Sequence, residues 1–375
     1  MWLGLDDTDS LLGGCTTLVF HQLLENLPCK HGEPRLTRLW PFANRRTRGN
    51  AALSVELFCG EEIIPWLDNY WKSNIEPLSG EIGDSEHSDR KQYPADPGMV
   101  LFEKQPDEIH YWNAVRGEIS YIEGGIQWGG HGRIGAAASC SWRAHNATWE
   151  GIAWTNEERY VSEELLTKVT ELDGTFLCRD PRTSRGLISP RGNSPILFGI
   201  RAINPDIAMG ATNILLEDCS DVIGHRVFKT NQSTGDHIER EYIHNVENIE
   251  IKKGGHVIIN KNIICFSDSG DMNILCQWLE SGDEISCIGL EYEGKLHLEG
   301  IRVLNSVSKL RPMCKCGTRM KSMGKNQGSR CPKCKTKSPN NWELSERIPP
   351  FKNWVQPPYD KRRHLAEDLS SYHKC

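Results

Sequence analysis

The sequence predicts an α+β protein made of several domains. Helical and strand-like hydrophobic periodicities alternate through roughly the first 240 residues. Five short strand-like runs follow between residues 247 and 305, and four closely spaced cysteines begin at Cys314. A chain of 375 residues has room for about two to four domains. Runs of different type in succession favour separate modules over one continuous core.

Residues 1–128 are predicted to form an α/β domain. The apolar run Met1–Leu5 predicts a strand, and Thr16–Leu27 predicts a helix because most of its apolar side chains lie on one face. Further strands are expected at Arg35–Phe42 and Ala51–Phe58, and helices at Glu61–Tyr70 and Ile109–Ile119. The polar run Gly80–Gly98, with two prolines near its end, predicts an exposed loop.

Residues 129–240 are predicted to form a ferredoxin-like unit, because helices and strands alternate in pairs. Ser162 is a suitable helix cap, and Pro205 stands where a helix favours proline. The expected helices are Ile134–Ser141, Ser162–Glu171 and Asp206–Leu216, and the expected strands are Thr148–Trp154, Thr175–Cys178, Pro195–Arg201 and Val222–Lys229.

Residues 245–306 are predicted to form a small barrel. Five short strands in about sixty residues are typical of an OB fold, although an SH3-like barrel has a similar pattern. The expected strands are Ile249–Ile251, His256–Phe266, Asn273–Gln277, Glu284–Tyr292 and Lys295–Val303. Glu293 and Gly294 predict the hairpin turn between the last two strands.

Residues 309–345 are predicted to form a zinc ribbon. Cys314 and Cys316 form one close pair, and Cys331 and Cys334 form another. Four thiolates can close a tetrahedral structural zinc site, and metal binding would supply the folding energy that a segment with little apolar content lacks. The C-x-C spacing of the first pair is tighter than the usual C-x-x-C. Four unrelated thiols are the alternative.

The C-terminal part of the chain is strongly basic. Residues 309–363 contain fifteen Lys or Arg against three Asp or Glu, a charge of +12, so the remainder of a chain with net charge −6 carries −18. A basic end on an acidic body is typical of a polyanion-binding segment. A solvated basic tail explains the same charge equally well. Residues 346–375, after the ribbon, are predicted to form a basic C-terminal tail.

The sequence composition also indicates the cellular compartment of the protein. Acidic residues interrupt the apolar run that a signal peptide would need, and no apolar stretch is long enough to span a bilayer. Ten of the fourteen cysteines are scattered singly, which favours a reducing compartment over a disulfide framework. We therefore expect a cytoplasmic protein with neither a membrane nor DNA as its partner.

The opening stretch LDDTDSLLGGCTT is the strongest candidate for a catalytic site. Asp6, Asp7 and Asp9 follow a predicted strand and offer the oxygen ligands that Mg²⁺ prefers. Two glycines and two threonines precede or begin the next helix, whose N-terminus favours anions; they are Gly13, Gly14, Thr16 and Thr17. Carboxylate-bound metal beside a phosphate cradle suits nucleotide-dependent phosphoryl transfer. A solvated acidic turn with a helix cap is the alternative.

Two further stretches have polar or glycine-rich patterns with two possible explanations each. The run NRRTRGN contains Arg45, Arg46, Arg48 and Asn50, which either clamp phosphates or form a basic surface loop. The glycine-rich run Gly124–Ser139 either lets backbone approach a ligand or lets a helix pack closely. The residues alone do not separate these explanations.

The chain resembles the archaeal tRNA-Ile agmatidine synthases, also called tRNA(Ile) 2-agmatinylcytidine synthetases (TiaS). The resemblance extends from end to end and rests on long, unusual motifs. They are GLDDTDSLLGGCTT at Gly4–Thr17, TRGNAA at Thr47–Ala52, DPGMV at Asp96–Val100, GRIGAAAS at Gly132–Ser139, SPILFGIR at Ser194–Arg201, GKLHLEGIRVL at Gly294–Leu304, RMKSMGKNQG at Arg319–Gly328 and RRHL at Arg362–Leu365.

The resemblance implies an N-terminal kinase-like ATP and cytidine domain, followed by a ferredoxin-like domain, an OB fold and a zinc ribbon. It implies that ATP activates the C2 oxygen of the wobble cytidine of the AUA-reading tRNA-Ile, with a CAU anticodon, by phosphorylation. Agmatine then displaces this group to give agmatidine, AMP and phosphate. In this family Asp6, Asp7 and Asp9 would hold Mg²⁺ and triphosphate, Thr16 would be autophosphorylated, and Arg48 and Asn50 would lie near the nucleotide.

Two other classes of function remain open from the residues. One is a non-catalytic RNA-binding protein with an inert acidic turn. The other is an ATP-dependent small-molecule kinase with an appended RNA module, which would consume ATP without tRNA and leave the tRNA bases unmodified. The first would show no ATP turnover in the presence of tRNA.

Overall fold

The computed structural model describes residues 1–9, 14–46, 49–80, 93–190, 192 and 194–371. The chain divides into two compact units. The first unit comprises Met1–Glu239 together with Arg362–Asp368, and the second comprises Arg240–Lys361 together with Leu369–Cys375. Most of the predicted loop Gly80–Gly98 lies outside the described residues.

The first unit is built on one nine-stranded sheet with the strand order β5-β4-β1-β3-β2-β9-β6-β8-β7. Its strands are β1 Trp2–Asp6, β2 Arg35–Arg38, β3 Ala51–Glu56, β4 Gly98–Phe102, β5 Ile126–Gly129, β6 Thr148–Thr155, β7 Thr175–Phe176, β8 Ile196–Ala202 and β9 Val222–Thr230. The neighbours β2 and β9 pair in parallel. This pair joins strands from residues 1–128 to strands from residues 129–240, so both predicted domains share one sheet.

Helices cover the sheet of the first unit. They are α1 Thr16–Asn26, α2 Ile64–Tyr70, α3 Ile109–Arg116, α4 Arg133–Ser141, α5 Glu163–Glu171 and α6 Pro205–Leu216. Ser162 caps α5 and Asn204 caps α6, each accepting a backbone N–H of the first turn. The predicted helices at these positions are therefore confirmed, and Pro205 begins α6 as expected.

Strand β1 is buried on both faces, because helices pack on either side of it. Leu3 and Leu5 belong to the core cluster that includes Phe20 of α1. Trp2 belongs to a second cluster with Ala136 of α4. Each fully buried leucine contributes about 2 kcal/mol relative to an exposed one. This burial fixes the C-terminal end of β1, where the acidic stretch begins.

The second unit contains a six-stranded sheet with the order β10-β14-β15-β13-β12-β11. Its elements are β10 Tyr242–Asn245, β11 Ile249–Ile251, β12 Val257–Ile259, β13 Ile263–Cys265, helix α7 Asp271–Trp278, β14 Glu284–Tyr292 and β15 Lys295–Asn305. The predicted turn is confirmed, because Glu293 and Gly294 both have positive φ between paired strands β14 and β15.

Two sequence predictions in the second unit are wrong. The predicted strand Asn273–Gln277 lies within helix α7, whose buried Met272, Leu275 and Cys276 recur with helical spacing. The predicted strand His256–Phe266 is two strands, β12 and β13. Asn260 and Lys261 between them have φ of 50° and 69°, which turns the chain into a hairpin.

The cysteine-rich segment of the second unit forms small sheets. A two-stranded ladder pairs β16 Val307–Leu310 with β20 Glu343–Glu346, so the two ends of the segment lie side by side. Between them, β17 Lys321–Ser322, β18 Ser329–Arg330 and β19 Lys337–Ser338 form a three-stranded sheet. Within the described residues no helix has the length and apolar character needed to cross a bilayer.

Candidate active site and metal centre

Three carboxylates are buried at the C-terminal end of β1. Asp6 ends the strand, and the chain turns at Asp7, whose φ is 60°. This turn lets the Asp7 backbone N–H donate to Asp6 Oδ1 at 2.7 Å. Asp6, Asp7 and Asp9 each expose less than a tenth of their surface. The structure therefore removes the three acids predicted from the sequence from bulk solvent. Asp6 and Asp7 line one cleft, whereas Asp9 accepts a hydrogen bond from Thr16, and within the described residues the three carboxylates do not converge as a three-ligand metal cluster.

The carboxyl groups of Asp6 and Asp7 hold their protons more tightly than usual, because they are buried and fewer cations than acids lie beside them. The pKa of Asp6 is raised well above its usual value by burial and by repulsion from Asp7. Burial raises the pKa of Asp7 to about 7, although Arg45 lowers it. Asp7 Oδ2 has no hydrogen-bond partner among the described residues. Buried oxygens of this kind fit a divalent cation, which would favour the ionised carboxylates.

A cleft opens beside Asp6 and Asp7. Its empty volume, open solvent included, is about 580 Å³, and its walls include Asp6, Asp7, Trp40, Arg45, Asn50 and His131. Its walls come from β1, the loop between β2 and β3, helix α3 and the start of α4.

Arg45 is the principal cation facing the acids. Its Nε lies 3.5 Å from Asp7 Oδ2, and its Nη2 lies 3.4 Å from Asp96 Oδ2. Asp96 Oδ2 also accepts the His131 backbone N–H at 2.9 Å. Asp96 and His131 were not identified as site residues from the sequence. The DPGMV motif and the glycine-rich run were the signals that pointed to this region.

The glycine-rich run serves close packing of α4 against β1. A Cβ at Gly135 would collide with Asp6 Oδ2, and a Cβ at Gly130 would collide with the Asp96 side chain. Glycine at these positions lets the start of α4 approach the carboxylates directly. Within the described residues, this observation favours the close-packing explanation of the run.

Asp9 and Thr16 form a second hydrogen-bonded group at the start of α1. Thr16 Oγ1 donates to Asp9 Oδ1 at 2.7 Å and accepts from the Thr8 backbone N–H at 3.3 Å. Both side chains are buried. A carboxylate that accepts the proton of a hydroxyl is positioned to take that proton when the oxygen attacks phosphorus.

Of the other residues predicted to bind the nucleotide, Asn50 lines the cleft, whereas Thr17 contacts other protein side chains. Thr17 Oγ1 lies 3.0 Å from Cys15 Sγ and accepts from Trp154 Nε1 at 3.2 Å, so its hydroxyl already has two protein partners. Asn50 lines the cleft and donates to the Trp40 carbonyl at 2.7 Å. Gly14 has a φ of 83°. Gly13 and Arg48 lie outside the described residues, and their roles stay predictions.

The four cysteines predicted as zinc ligands converge. All four sulfurs lie within 4.8 Å of one another, with Cys314 to Cys334 at 3.3 Å and Cys316 to Cys331 at 3.5 Å. A tetrahedral Zn²⁺ with Zn–S bonds of about 2.3 Å needs sulfurs roughly 3.8 Å apart. Both sulfurs of the C-x-C pair therefore reach the cluster.

The surroundings of two of the sulfurs favour the thiolate form that binds zinc. Contacts with the Thr336 hydroxyl and backbone lower the pKa of Cys334 to about 6. Contacts with Thr318 lower the pKa of Cys316. At Cys314 the Cys316 backbone lowers the pKa, but hydrogen bonding with the neighbouring cysteine side chains raises it to about 11. Apart from the cysteines, the local core has Met320 as its buried member. Such a small core is consistent with a fold that depends on metal.

Comparison with known protein families gives matches along most of the chain. Residues 2–126 match the TiaS TCKD domain, residues 130–237 the TiaS FLD domain, and residues 311–348 the TiaS C-terminal zinc ribbon domain.

Curated relatives cover nearly the full chain. A relative from Methanosarcina mazei is 30% identical over 425 aligned residues, which span 98% of this chain and 97% of the relative. Another, from Methanopyrus kandleri, is 28% identical and covers 98% and 96% respectively. Both are named as 2-agmatinylcytidine synthetases of an isoleucine tRNA, TiaS.

Solved structures share the fold. The crystal structure of a TiaS complex with an isoleucine tRNA and ATP has a TM-score of 0.75 and 24% identity, covering 99% of this chain and 97% of the other. A TiaS complex with an isoleucine tRNA, AMPCPP and agmatine has a TM-score of 0.72 and 22% identity, covering 99% and 96%. The mixed α/β multidomain fold with a C-terminal zinc ribbon is therefore that of these structures.

Proposed function

Because this chain belongs to the TiaS family of tRNA(Ile) 2-agmatinylcytidine synthetases, we propose that it is an ATP-dependent ligase that attaches agmatine to a tRNA. The target is the wobble cytidine of the isoleucine tRNA that reads AUA. ATP phosphorylates the C2 oxygen, the amine of agmatine attacks C2, and that oxygen leaves as inorganic phosphate. Hydrolysis of the remaining ADP by one water gives AMP and a second phosphate. The observation that carries this proposal is the relative that is 30% identical across 98% of the chain.

The cleft beside β1 is the proposed ATP site. Asp6 and Asp7 would hold a Mg²⁺ ion, which neutralises phosphate charge and so reduces its repulsion from the carboxylates. Two observations support this assignment. Burial raises the pKa of both acids, and both line the same cleft as Arg45. Arg45 and Asn50 would contact the nucleotide from the loop between β2 and β3. Arg48 belongs to the TRGNAA motif, as Asn50 does, and would also lie near the nucleotide.

Thr16 is the proposed acceptor for autophosphorylation, and Asp9 is its proton acceptor. The support is the 2.7 Å hydrogen bond from Thr16 Oγ1 to Asp9 Oδ1. Gly13, Gly14 and Thr17 would border the phosphates at the start of α1, where backbone N–H groups and the helix dipole favour anions.

The domain names that we propose are a kinase-like domain over 1–128, a ferredoxin-like domain over 129–240 and an OB fold over 245–306. The strand pairing supports the OB fold: β10 pairs with β14 while β11, a few residues later, pairs with β12. One segment thus provides both end strands of the sheet, which is the arrangement expected of a sheet that curls into a barrel. Helix α7 lies between β13 and β14 in sequence.

The ribbon and its basic flanks are the proposed tRNA-binding segment. Zn²⁺ held by Cys314, Cys316, Cys331 and Cys334 would stabilise the ribbon without taking part in the reaction. The segment's +12 charge would contact phosphates, which fix position rather than read sequence. We place the enzyme in the cytoplasm, with tRNA and agmatine as partners and neither membrane nor DNA.

The proposal is tested by incubating the purified protein with tRNA-Ile bearing a CAU anticodon, ATP and agmatine. Mass spectrometry of the digested nucleosides should detect agmatidine only when all three substrates are present. A tRNA with another anticodon is the matched control. ATP consumption without tRNA, together with unmodified nucleosides, would favour the small-molecule kinase. No ATP turnover under any condition would favour the non-catalytic RNA-binding protein.

A further inference from the structure

Residues Arg362–Asp368, here called the C-terminal strap, belong to the first unit although they follow the second unit in sequence. Two backbone hydrogen bonds attach the strap: Ser233 N donates to the His364 carbonyl at 2.8 Å, and Gly235 N donates to the Leu365 carbonyl at 2.9 Å. Leu365 and Ala366 are buried. The strap is therefore an integral part of the first unit's core.

The strap contacts one wall of the ATP cleft through aromatic side chains. The Arg363 guanidinium lies 4.4 Å from the centre of the Phe42 ring. Phe42 in turn packs edge-on against Trp40, with ring centres 5.3 Å apart. Trp40 lines the cleft, and its carbonyl accepts the side-chain N–H of Asn50. A cation held over an aromatic face is attracted to the ring and so restrains the position of the ring.

The strap also supports a second wall of the same cleft. Leu365 packs in a cluster with Tyr111 and Val115 of helix α3. Ala114 and Gly117, on and just after the same helix, line the cleft. The Trp40 backbone N–H donates to the Ala114 carbonyl at 2.9 Å, which joins the two walls.

We propose that the strap is a positioning element for the ATP cleft, with Arg363 as the residue that holds Trp40 and, through it, Asn50. This inference rests on the proposed function and adds to it residues that do not touch the nucleotide. In this arrangement Arg363 of the RRHL motif acts on nucleotide binding and is not a tRNA-phosphate contact. Arg363 acts through Phe42 and Trp40 and is a positioning residue.

The test compares two variants with the same change in charge. Arg363→Ala removes the guanidinium over Phe42. Arg362→Ala, the matched control, removes the neighbouring guanidinium, which pairs with Asp368 at 3.5 Å. We expect Arg363→Ala to raise KM for ATP about tenfold, because a misplaced wall weakens nucleotide binding. We expect KM for tRNA to change by less than about twofold, and Arg362→Ala to leave KM for ATP unchanged.

A conservative variant separates positioning from loss of folding. Arg363→Lys keeps a cation and an alkyl stem over Phe42, so it should recover most of the ATP affinity. Titration of each protein with a non-hydrolysable ATP analogue and Mg²⁺, without tRNA or agmatine, reports nucleotide binding directly. Melting temperatures of all variants show whether Arg363→Ala is folded.

Different results would refute the strap inference and the proposed function. Wild-type affinity for the ATP analogue in a folded Arg363→Ala would overturn the strap inference. Equal rises in KM for tRNA in both alanine variants, with KM for ATP unchanged, would overturn it in favour of direct RNA contact. If Arg363→Ala and Arg363→Lys both lose ATP affinity equally, the cation over Phe42 is not the cause. Failure of the wild-type protein to make agmatidine would instead contradict the proposed function.

Discussion

At the scale of single residues, the chemistry of the site rests on charges placed where water is scarce. Asp6 and Asp7 are buried next to each other, and Arg45 is the neighbouring cation that lowers the pKa of Asp7. Burial raises the pKa of both carboxyl groups, so without a cation they hold protons near neutral pH. A bound divalent cation would displace those protons and would therefore stabilise the fold as well as serve the proposed reaction.

The substitution Asp7→Asn should abolish agmatidine formation and leave the fold intact. The amide keeps the shape of the side chain but offers no ionised oxygen to Mg²⁺. Nucleoside mass spectrometry gives the activity, and circular dichroism checks the fold. Turnover at the wild-type rate and ordinary Mg²⁺ concentration would refute the metal assignment.

The same variant should change the pH dependence of stability when divalent cations are removed. Burial raises the pKa of Asp7 to about 7 in the folded state, whereas an unfolded Asp ionises near about 3.9. The folded state thus holds the proton more tightly, so the wild type loses stability as pH rises between about 4 and 7. Asp7→Asn escapes that loss and should become more stable by up to roughly 4 kcal/mol at about pH 8.

Urea unfolding in EDTA at about pH 5, 6.5 and 8 measures this difference. The gap between variant and wild type should widen with pH and level off above about pH 7, and added Mg²⁺ should narrow it. A gap that stays constant across the range would show that Asp7 ionises normally in the folded protein.

The Thr16 hydroxyl gives another residue-scale prediction. Thr16→Val keeps the volume of the side chain but removes the hydroxyl that donates to Asp9, so phosphorylation at this position and agmatidine formation should both be lost. Thr16→Ser keeps the hydroxyl and should retain activity. Phosphopeptide mass spectrometry after incubation with ATP makes the comparison. Phosphorylation at another residue in Thr16→Val would move the acceptor elsewhere.

At the scale of elements, the close approach of α4 to β1 holds Asp6 in place. Gly135→Ala should lower the free energy of unfolding by about 1–3 kcal/mol, because its Cβ would collide with Asp6 Oδ2. Gly210→Ala in α6 is the matched control, since nothing lies within 4 Å of its Cβ. There the substitution should stabilise the protein by about 0.5–1 kcal/mol.

Thermal and urea unfolding give both free energies, and ATP-analogue binding shows whether Gly135→Ala also displaces Asp6. If the two glycine variants have the same stability, α4 is free to move away from β1 and does not determine the position of Asp6.

The zinc ribbon is a second element whose role can be isolated. Cys331→Ser should release the bound zinc, unfold the ribbon and weaken tRNA binding, because the ribbon has little core of its own. ATP binding in the first unit should not change. One zinc ion per chain remaining in the variant, measured by elemental analysis, would rule out the four-cysteine site.

At the scale of the whole molecule, tRNA binding and ATP binding should be separable although both depend on basic C-terminal residues. Leu310 pairs with Glu343 at the base of the ribbon. Replacing residues 311–342 by Asn-Gly would therefore close β16 and β20 as a hairpin and keep the strap. Truncation after Lys361 does the reverse: it removes the strap and keeps the ribbon.

The ribbon deletion should flatten the salt dependence of tRNA binding, by roughly 0.7–0.9 in the log–log slope for each lost phosphate contact. Its affinity for ATP should be unchanged. The truncation after Lys361 should weaken ATP binding instead. A simple deletion from Arg311 onward would confound the two effects, because it removes the strap as well. An unchanged salt slope in the ribbon deletion would place the phosphate contacts on the acidic body.

The positions of the chemical groups could be predicted from the sequence because they depend on short-range spacing. The carboxylates of the opening stretch follow one strand, the two cysteine pairs flank one short segment, and Glu293-Gly294 turns one hairpin. Local periodicity also identified α5 and α6 with their caps. Each of these features is determined by neighbours within about twenty residues, so the chain's own order contains it.

Tertiary structure decided what those groups face. Short apolar runs do not distinguish a strand from a helix, and tertiary packing placed Asn273–Gln277 in α7, whose buried side chains join the core of the six-stranded sheet. The pairing of Arg45 with Asp7 and Asp96, and of Arg363 with Phe42, joins residues far apart in the chain. Such contacts depend on which surfaces bury one another. The sequence by itself determined the chemistry available to this protein, and the packing of distant segments decided where that chemistry is assembled.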